Sequence, residues 1–152
     1  MLDAAQLSGL HFAAGLPPQT LAELAGMASI QSFAPQRVVF REGDRCADIF
    51  LLRSGRVALD MHVPGRGPVR VLTVGEGELL GWSAVLGDGP MTATATTQEA
   101  TRLVVIPGAT LGALCESNHE IGYRVMQQMA RALAQRLVAT RLQLLDLFSI
   151  GR

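Results

Sequence analysis

The segment around Gly81 carries the residue types best suited to binding a small ligand. Gly81 permits a tight turn, and Trp82-Ser83-Ala84-Val85-Leu86 is predicted to form one short helix directly after it. The first backbone N–H groups of such a helix are unpaired and point together, so an anion there gains about 0.3–1 kcal/mol. The hydroxyls of Ser83 and Thr92 would add two donors. On their own these residues fit either an ordinary turn between a strand and a helix or a binding site for a small ligand.

Residues that could make or break bonds, or hold a metal ion, are scattered along the chain. His11, His62 and His119 form no HxH or HExxH motif, and Cys46 and Cys115 form no CxxC motif. A GxSxG elbow and a phosphate-binding GxxxxGK[ST] loop are also missing. We therefore expect no enzyme activity and no metal site. The two thiols are expected to be buried or half-buried in a reducing cytoplasm.

Composition places the chain among compact globular proteins. The 152 residues are 49% hydrophobic and 17% charged, so there is enough apolar surface for a core and intrinsic disorder is excluded. Thirteen basic and thirteen acidic residues leave no net charge. A protein that binds nucleic acid by itself usually carries an excess of basic residues, and this chain has none. No apolar run is long enough to span a membrane. The expectation is one domain, 1–152, located in the cytoplasm.

Apolar periodicity divides this domain into three regions. Residues 1–29 are a helical segment, in which Pro17-Pro18 precedes apolar residues at helical spacing. Residues 30–106 contain short strand-like runs separated by turns, which is typical of a sandwich or barrel. Residues 107–152 form the C-terminal helices. The predicted strands are 38–40, 49–52, 56–61, 69–74, 92–97 and 102–106.

The last region contains a long helix, predicted from residue 118 to 148. Ser117 with Glu120 fits a capping box, and Asn118 is an alternative cap. Heptad positions are occupied by Met126, Ala130, Leu133, Leu137, Thr140, Leu144 and Leu147. The apolar surface is extended by Ile121, Val125, Met129, Val138, Leu142 and Leu145.

A helix that is apolar on more than one face needs two partners, which predicts packing on its own barrel and on a second copy of the chain. The alternative is one broad face packed on a single barrel. Arg131, Arg136 and Arg141 are spaced five residues apart, so they spread around the helix, and we expect them to be solvated and not to form a stripe that binds nucleic acid.

Several motifs in the strand region match one known family. Glu42-Gly43-Asp44, Asp48-Ile49-Phe50-Leu51-Leu52 and Ser54-Gly55-Arg56-Val57 match the signature G-D…D-x-[YF]-x-[IL]-x-x-G-x-V. Gly77-Glu78-Leu79-Leu80-Gly81 matches the G-[DE]-x-[FIL]-G run that opens the family's phosphate-binding cassette, and Thr92-Ala93-Thr94 matches its closing A-T. The chain thus resembles the sensor domain of the bacterial catabolite-activator and fumarate-nitrate-regulator superfamily.

The resemblance implies a mainly β fold with flanking helices: a β-jelly-roll, an N-terminal helix and a long C-terminal dimerisation helix. It also implies a regulatory pocket in a cassette at residues 77–94, for cyclic AMP, cyclic GMP or another small ligand. No cofactor is assigned firmly. The ligand-binding residues expected from this frame are Gly81, Trp82, Ser83, Ala84, Met91, Thr92, Ala93, Val71 and Leu72.

Two positions depart from the family pattern. Nucleotide-binding members commonly have Glu after the cassette glycine, where this chain has Trp82, and Arg before the closing A-T, where it has Met91. Losing a charge-assisted pair with phosphate forfeits about 1.5–3 kcal/mol. Trp82 either stacks on a flat ligand or fills its volume, and Met91 is interpreted as filler. A pocket formed by Trp82, Met91, Val71 and Leu72 would favour a more apolar or less charged molecule.

The sequence ends where a helix-turn-helix domain begins in the transcription factors of this superfamily. We expect a stand-alone sensor or a fragment, with no direct DNA binding and with signalling to a partner protein through a homodimer formed by helix 118–148. The alternative function is a dimeric interaction module with a filled, non-binding pocket.

Overall fold

A computed structural model describes residues 2–86 and 89–150 of the chain. Residues 87 and 88 of the predicted cassette lie outside this range. The helices are α1 (Ala4–Ser8), a 3₁₀ helix (His11–Ala13), α2 (Pro18–Met27), α3 (Ser83–Leu86), α4 (Gly108–Ser117) and α5 (His119–Ile150). The strands are β1 (Ser29–Phe33), β2 (Val38–Phe40), β3 (Asp48–Ser54), β4 (Val57–Val63), β5 (Gly67–Val74), β6 (Leu79–Leu80), β7 (Thr94–Thr97) and β8 (Thr101–Pro107).

The eight strands form two antiparallel sheets, with orders β1-β8-β3-β6 and β2-β7-β4-β5. The predicted β-jelly-roll with flanking helices and a long C-terminal helix is confirmed. Strand β1 was not predicted, because its residues are mostly polar and exposed. Strand β6 has only two residues, too few to produce a detectable pattern.

The central strands β3 and β8 of the first sheet are buried on both faces, and β3 shows this most clearly. Successive side chains of a strand point to opposite faces. Ile49 and Leu51 belong to the core beneath the helices, whereas Phe50 and Leu52 belong to the core between the sheets. All four are buried, which explains why β3 is an unbroken apolar run instead of an alternating one.

The predicted strand at 92–97 starts later than expected, at Thr94. Before that residue the backbone of Met91 pairs with the 42–44 turn: Met91 N–H donates to the Asp44 carbonyl and Gly43 N–H to the Met91 carbonyl, both at 2.8 Å. Met91 is therefore anchored to the turn that carries the Glu42-Gly43-Asp44 motif. In the N-terminal region, α1 was not anticipated because it spans only five residues.

Helix α5 begins after Asn118, whose Oδ1 accepts a hydrogen bond from the Ile121 N–H at 3.1 Å. Ser117 instead donates its hydroxyl to the Leu114 carbonyl. Of the two predicted caps, Asn118 is therefore the one used. The helix continues to Ile150, slightly beyond the predicted end.

The two sides of α5 differ in their surroundings. Ile121, Val125 and Met129 are buried against the roll. The rest of the helix surface exposes large apolar residues, each over about half of its surface or more: Tyr123, Leu137, Val138, Leu142, Leu144 and Leu145. The side chain of Leu147, a predicted heptad position, lies outside the described residues.

One expectation for α5 is wrong. Arg131 and Arg141 are exposed, but Arg136 is only partly accessible and points inward. The reason is its position seven residues after Met129, because a spacing of seven returns to almost the same face of a helix. The three arginines are therefore not all solvated.

The core between the sheets contributes to stability through the burial of large apolar side chains. Leu103 is fully buried there, at 0% exposure, whereas Leu86 is 48% exposed. We expect Leu103→Ala to lower the free energy of unfolding by about 2–5 kcal/mol, because it leaves a cavity in a closed core. Leu86→Ala is the matched control and should change it by less than about 1 kcal/mol. Urea unfolding at one protein concentration measures both, and equal effects would contradict the described core.

Candidate ligand-binding site

The turn at Gly81 adopts a backbone conformation that favours glycine. Its φ angle is +79°, and a Cβ atom at this position would lie 3.0 Å from the Asp48 carbonyl oxygen and 3.3 Å from Phe50 Cδ2. Strand β6 ends one residue earlier and pairs with β3, so the turn is pressed against β3. The predicted tight turn before a short helix is therefore present.

The backbone donors of this turn are partly used within it. Ala84 N–H donates to the Gly81 carbonyl at 3.2 Å, and Val85 N–H donates to the Trp82 carbonyl at 3.0 Å. These short-range bonds tighten the first turn of α3 in the 3₁₀ manner. The N–H groups of Trp82 and Ser83 are the remaining backbone candidates for a ligand, fewer than the sequence predicts.

The side chains of Ser83 and Met91 contact each other. Ser83 Oγ lies 3.4 Å from Met91 Sδ and donates to it a weak hydrogen bond. Met91 is 4% exposed, so it is part of the interior, while Thr92 is exposed. The Ser83 hydroxyl, a predicted ligand donor, is thus occupied by Met91 in this arrangement.

A small cavity lies where the turn, α3 and the start of β7 meet. Six of the nine predicted site residues line it: Gly81, Trp82, Ser83, Met91, Thr92 and Ala93. Its volume is about 20 Å³. A single water molecule needs about 10–15 Å³ by this kind of measure, so the cavity holds little more than one water. Phe40, Leu59 and Leu80 form the floor from the core of the roll.

The other three predicted residues lie elsewhere. Ala84 packs against α4, where Gly108 leaves no room for a Cβ atom beside the Ala84 carbonyl. Val71 packs at the edge of the core between the sheets. Leu72 lines a separate groove on the other side of Arg136. The structure therefore brings six of the nine predicted residues together at one cavity, and Ala84, Val71 and Leu72 do not line it.

Arg136 of α5 is the residue at this site that the sequence reasoning missed. Its Cζ atom lies 5.6 Å from the centre of the Trp82 ring, within the range of a cation–π contact. Its Nη2 donates a hydrogen bond to the Leu79 carbonyl. Its Nη1 is buried and has no hydrogen-bond partner among the described residues. The spacing of seven from the apolar Met129 was the signal that could have located it.

The surroundings of Arg136 disfavour its charge. Burial lowers the pKa of the guanidinium, and the nearby Glu78 carboxylate acts in the opposite direction. An arginine pKa starts so high that the group remains protonated at neutral pH. The site therefore contains a positive charge, although no arginine stands in the segment from Gly81 to Ala95.

A larger groove of about 540 Å³ lies beside the cassette, between α5, the β5–β6 connection and the 3₁₀ helix. Apolar residues of its lining include Phe12, Leu72 and Ala132. Gln128 donates a side-chain hydrogen bond to the Ala14 carbonyl and so attaches α5 to the N-terminal segment at this groove. Arg136 lines both the groove and the small cavity.

The described part of the chain offers little support for a metal site, a reactive thiol or a membrane span. No group of three or more His, Cys, Asp or Glu residues lies close enough there to hold a metal ion. Cys46 and Cys115 are free and half-buried, and burial raises the pKa of each thiol. Within the same residues, no helix has the length and apolarity needed to cross a membrane.

Two antiparallel sheets, flanking helices and a glycine turn that opens a short helix define a jelly roll of the cyclic-nucleotide-binding class. The family model described as "Cyclic nucleotide-binding domain" matches residues 30–118. The chain therefore belongs to the cyclic nucleotide-binding domain family, as the sequence motifs predicted.

Relatives with curated descriptions include two mycobacterial proteins. The chain is 36% identical over 96 residues to the acetyltransferase Pat of Mycolicibacterium smegmatis, covering 63% of this chain and 28% of that protein. It is 29% identical over 134 residues to a CRP-like cAMP-activated global transcriptional regulator of Mycobacterium tuberculosis, covering 88% and 58%. The chain thus spans only part of the length of these relatives.

Solved structures agree on the fold. A putative cyclic nucleotide-binding protein from Geobacter metallireducens superimposes with a TM-score of 0.80 at 28% identity, covering 90% of this chain and 99% of that one. The catabolite activator protein of Thermus thermophilus gives a TM-score of 0.73 at 27% identity, covering 91% and 63%.

Replacement of Gly81 by alanine is predicted to cost more stability than the backbone conformation of this residue alone would explain. Gly43 also has a positive φ, +90°, but a Cβ there would meet nothing within 4 Å. Gly43→Ala should cost about 1–2 kcal/mol of stability from backbone strain. Gly81→Ala should cost about 1–3 kcal/mol more, because its Cβ also collides with β3. Chemical denaturation compares the two variants, and a Gly81→Ala cost no larger than that of Gly43→Ala would contradict this packing.

Proposed function

We propose that the chain is a non-catalytic regulatory domain in which a small molecule at the Gly81–Ala93 cassette controls the attachment of helix α5. The observation that carries this proposal is the placement of Arg136. One residue of α5 contacts the Leu79 carbonyl and the Trp82 ring, which lie on the two sides of the cassette glycine. A ligand that enters the cavity must displace Trp82 or Arg136, so occupancy and the position of α5 are linked.

A second route of close contacts joins the cassette to α5. Gly108 of α4 packs against the Ala84 carbonyl of α3, and Gly122 of α5 packs against the Cys115 backbone of α4. Both contacts are so close that a Cβ atom would not fit. A displacement of α3 is therefore passed to α4 and α5, because there is no free space to absorb it.

The mechanism we infer is a shift between two populations. In the closed state Arg136 covers Trp82 and the cavity is small, and in the open state the cavity admits a ligand and α5 is released from the cassette. A ligand shifts this equilibrium only by its difference in affinity for the two states. Cyclic AMP and cyclic GMP are the first candidates, since the regulator similar to this chain is described as cAMP-activated.

The output surface that we propose is the exposed side of α5, with a second copy of this chain as its occupant. Leu137 and Leu144 are seven residues apart and exposed, which is the spacing of a coiled-coil seam. Ala130 and Ala134 continue the same side with small residues that allow close approach. A partner protein in the cytoplasm would recognise the resulting dimer, and the chain itself would not bind DNA.

We propose that residues 1–152 are a single domain that responds to the ligand as one unit. Leu7 of α1 and Leu24 of α2 belong to the same buried cluster as Val125 and Met129 of α5. The N-terminal segment and α5 therefore share a core, which supports a joint response of both to the cassette.

The size of the cavity favours a second candidate function. Trp82 and Met91 already fill the place where a ligand would bind, and only about 20 Å³ is left. The chain would then be a dimeric interaction module with a permanently closed pocket. The ligand response of the purified protein separates the two candidates.

Thermal unfolding with cyclic AMP, cyclic GMP, cyclic dinucleotides and no ligand provides this test. A ligand at one hundred times its dissociation constant stabilises the fold by about 2.7 kcal/mol, a rise of several degrees in Tm. The regulatory proposal predicts such a rise for at least one cyclic nucleotide. Unchanged Tm with every compound at millimolar concentration would favour the interaction module.

The dimer is tested on α5. Leu144 is 47% exposed on the proposed seam, and an aspartate placed in an apolar interface would be buried without a partner. We expect Leu144→Asp to convert the dimer to a monomer in sedimentation analysis. Ala113→Asp places the same charge on an exposed position of α4 and should leave the dimer intact. A Leu144→Asp protein that remains dimeric would contradict this interface.

A further inference from the structure

The positive charge at the site comes from the C-terminal helix and not from the cassette. Met91 occupies the cassette position for which the family pattern has arginine, and its side chain is buried and uncharged. Arg136 reaches the same cavity from α5 and is the only cation that lines it among the described residues. A guanidinium is therefore supplied to this site by a different element of the fold.

The guanidinium of Arg136 is incompletely paired. Nη2 donates to the Leu79 carbonyl, while Nη1 is buried without an acceptor among the described residues. The carboxylate of Glu78 is near enough to act on the charge, but it accepts the Gly75 N–H at 3.3 Å and is exposed. A buried donor without an acceptor is unfavourable, so an oxygen acceptor placed here would be stabilised.

The space next to Arg136 suits an organic molecule. The groove of about 540 Å³ is bounded by Phe12, Leu72 and Ala132 and also by the side chains of Gln135 and Arg131. Pockets of about 300–1,000 Å³ with apolar walls and a few polar groups are typical of small-molecule sites. Since Arg136 lines both the groove and the small cavity, a ligand can lie in the groove and present a charged group at the guanidinium.

We propose that Arg136 is the anion-binding residue of this domain, and that the ligand is a small organic anion whose phosphate or carboxylate group accepts hydrogen bonds from its guanidinium. Arginine presents a planar fork of donors that matches both of these groups. The inference rests on the proposed function and deepens it by naming the charge of the ligand and the helix that senses it. Binding of the anion then competes with the Arg136–Trp82 contact, so the ligand itself changes how α5 is held.

The test compares charged and neutral probes that differ only in phosphate. Cyclic AMP is paired with adenosine, and cyclic GMP with guanosine. Trp82 is the only tryptophan of the chain and lies against Arg136, so its fluorescence reports on this site in a titration. In the wild-type protein we expect at least one cyclic nucleotide to bind roughly tenfold or more tightly than its nucleoside.

Arg136→Gln removes the charge, and Arg124→Gln removes the same charge from an exposed position of α5 that lines neither the groove nor the small cavity. We expect Arg136→Gln to weaken binding of the cyclic nucleotide roughly tenfold or more and to leave nucleoside binding within about twofold. Arg124→Gln should leave both within about threefold. Arg136→Lys keeps the charge without the fork, should lie between wild type and Arg136→Gln, and serves as the second variant if the Gln protein unfolds.

Each other outcome overturns a defined part of the proposal. If a cyclic nucleotide and its nucleoside bind the wild-type protein equally, the anion role of Arg136 is wrong while the regulatory function stands. If Arg136→Gln weakens both probes of a pair equally, Arg136 supports the pocket only structurally. If neither the four probes nor the cyclic dinucleotides bind, this inference and the proposed function are both wrong.

Discussion

The burial of strand β3 on both faces of the β1-β8-β3-β6 sheet determines where the covering helices and the cassette can lie. One face of this sheet packs on the second sheet, and the other must be covered by helices, because β3 carries large apolar side chains on both faces. Strand β6 pairs with β3 at the edge of the sheet, and the cassette turn follows it immediately. Helix α5 packs with the helices that cover the open face, so it passes close to the cassette. The meeting of Arg136 with Leu79 and Trp82 is a consequence of this layering.

The charge of the site lies on α5 beyond the part of the helix that is anchored in the core: Ile121, Val125 and Met129 are buried, whereas no described residue after Met129 is fully buried. In the family pattern the arginine belongs to the cassette, which is fixed to the roll. Here the cassette contributes Trp82 and Met91, and the charge lies about halfway along α5. Because the charge lies on the helix that is proposed to move, ligand binding would be coupled directly to the position of α5. The same buried guanidinium would be costly without an anion, and its contacts with Leu79 and Trp82 offset part of that cost.

The sequence could predict the strands and the cassette because each depends on local patterns. β-branched and apolar runs bounded by glycine turns identified β2, β3, β4, β5 and β8, and Gly81 was recognised as a turn from its motif. The contact of Arg136 depends on an encounter between residues more than fifty positions apart, which local patterns do not contain. Arg136 was assigned to a solvated face because the three arginines were compared with one another. Comparison with Met129, seven residues earlier, would have placed it inside.

The closed cavity is compatible with a sensor. In a domain with a closed and an open state, the fraction of open molecules determines the apparent affinity for the ligand. If only a fraction of the molecules has Trp82 and Arg136 displaced, the apparent dissociation constant rises by the inverse of that fraction. A well-closed pocket therefore lowers apparent affinity, and it increases the difference between free and bound protein at α5. A domain whose pocket is preformed binds its ligand more tightly, but its free and bound states differ less at α5. Under the proposed mechanism, the Arg136–Trp82 contact would lower the apparent affinity for the ligand and increase the coupling of ligand binding to α5, which would benefit the protein only if a partner responds to α5.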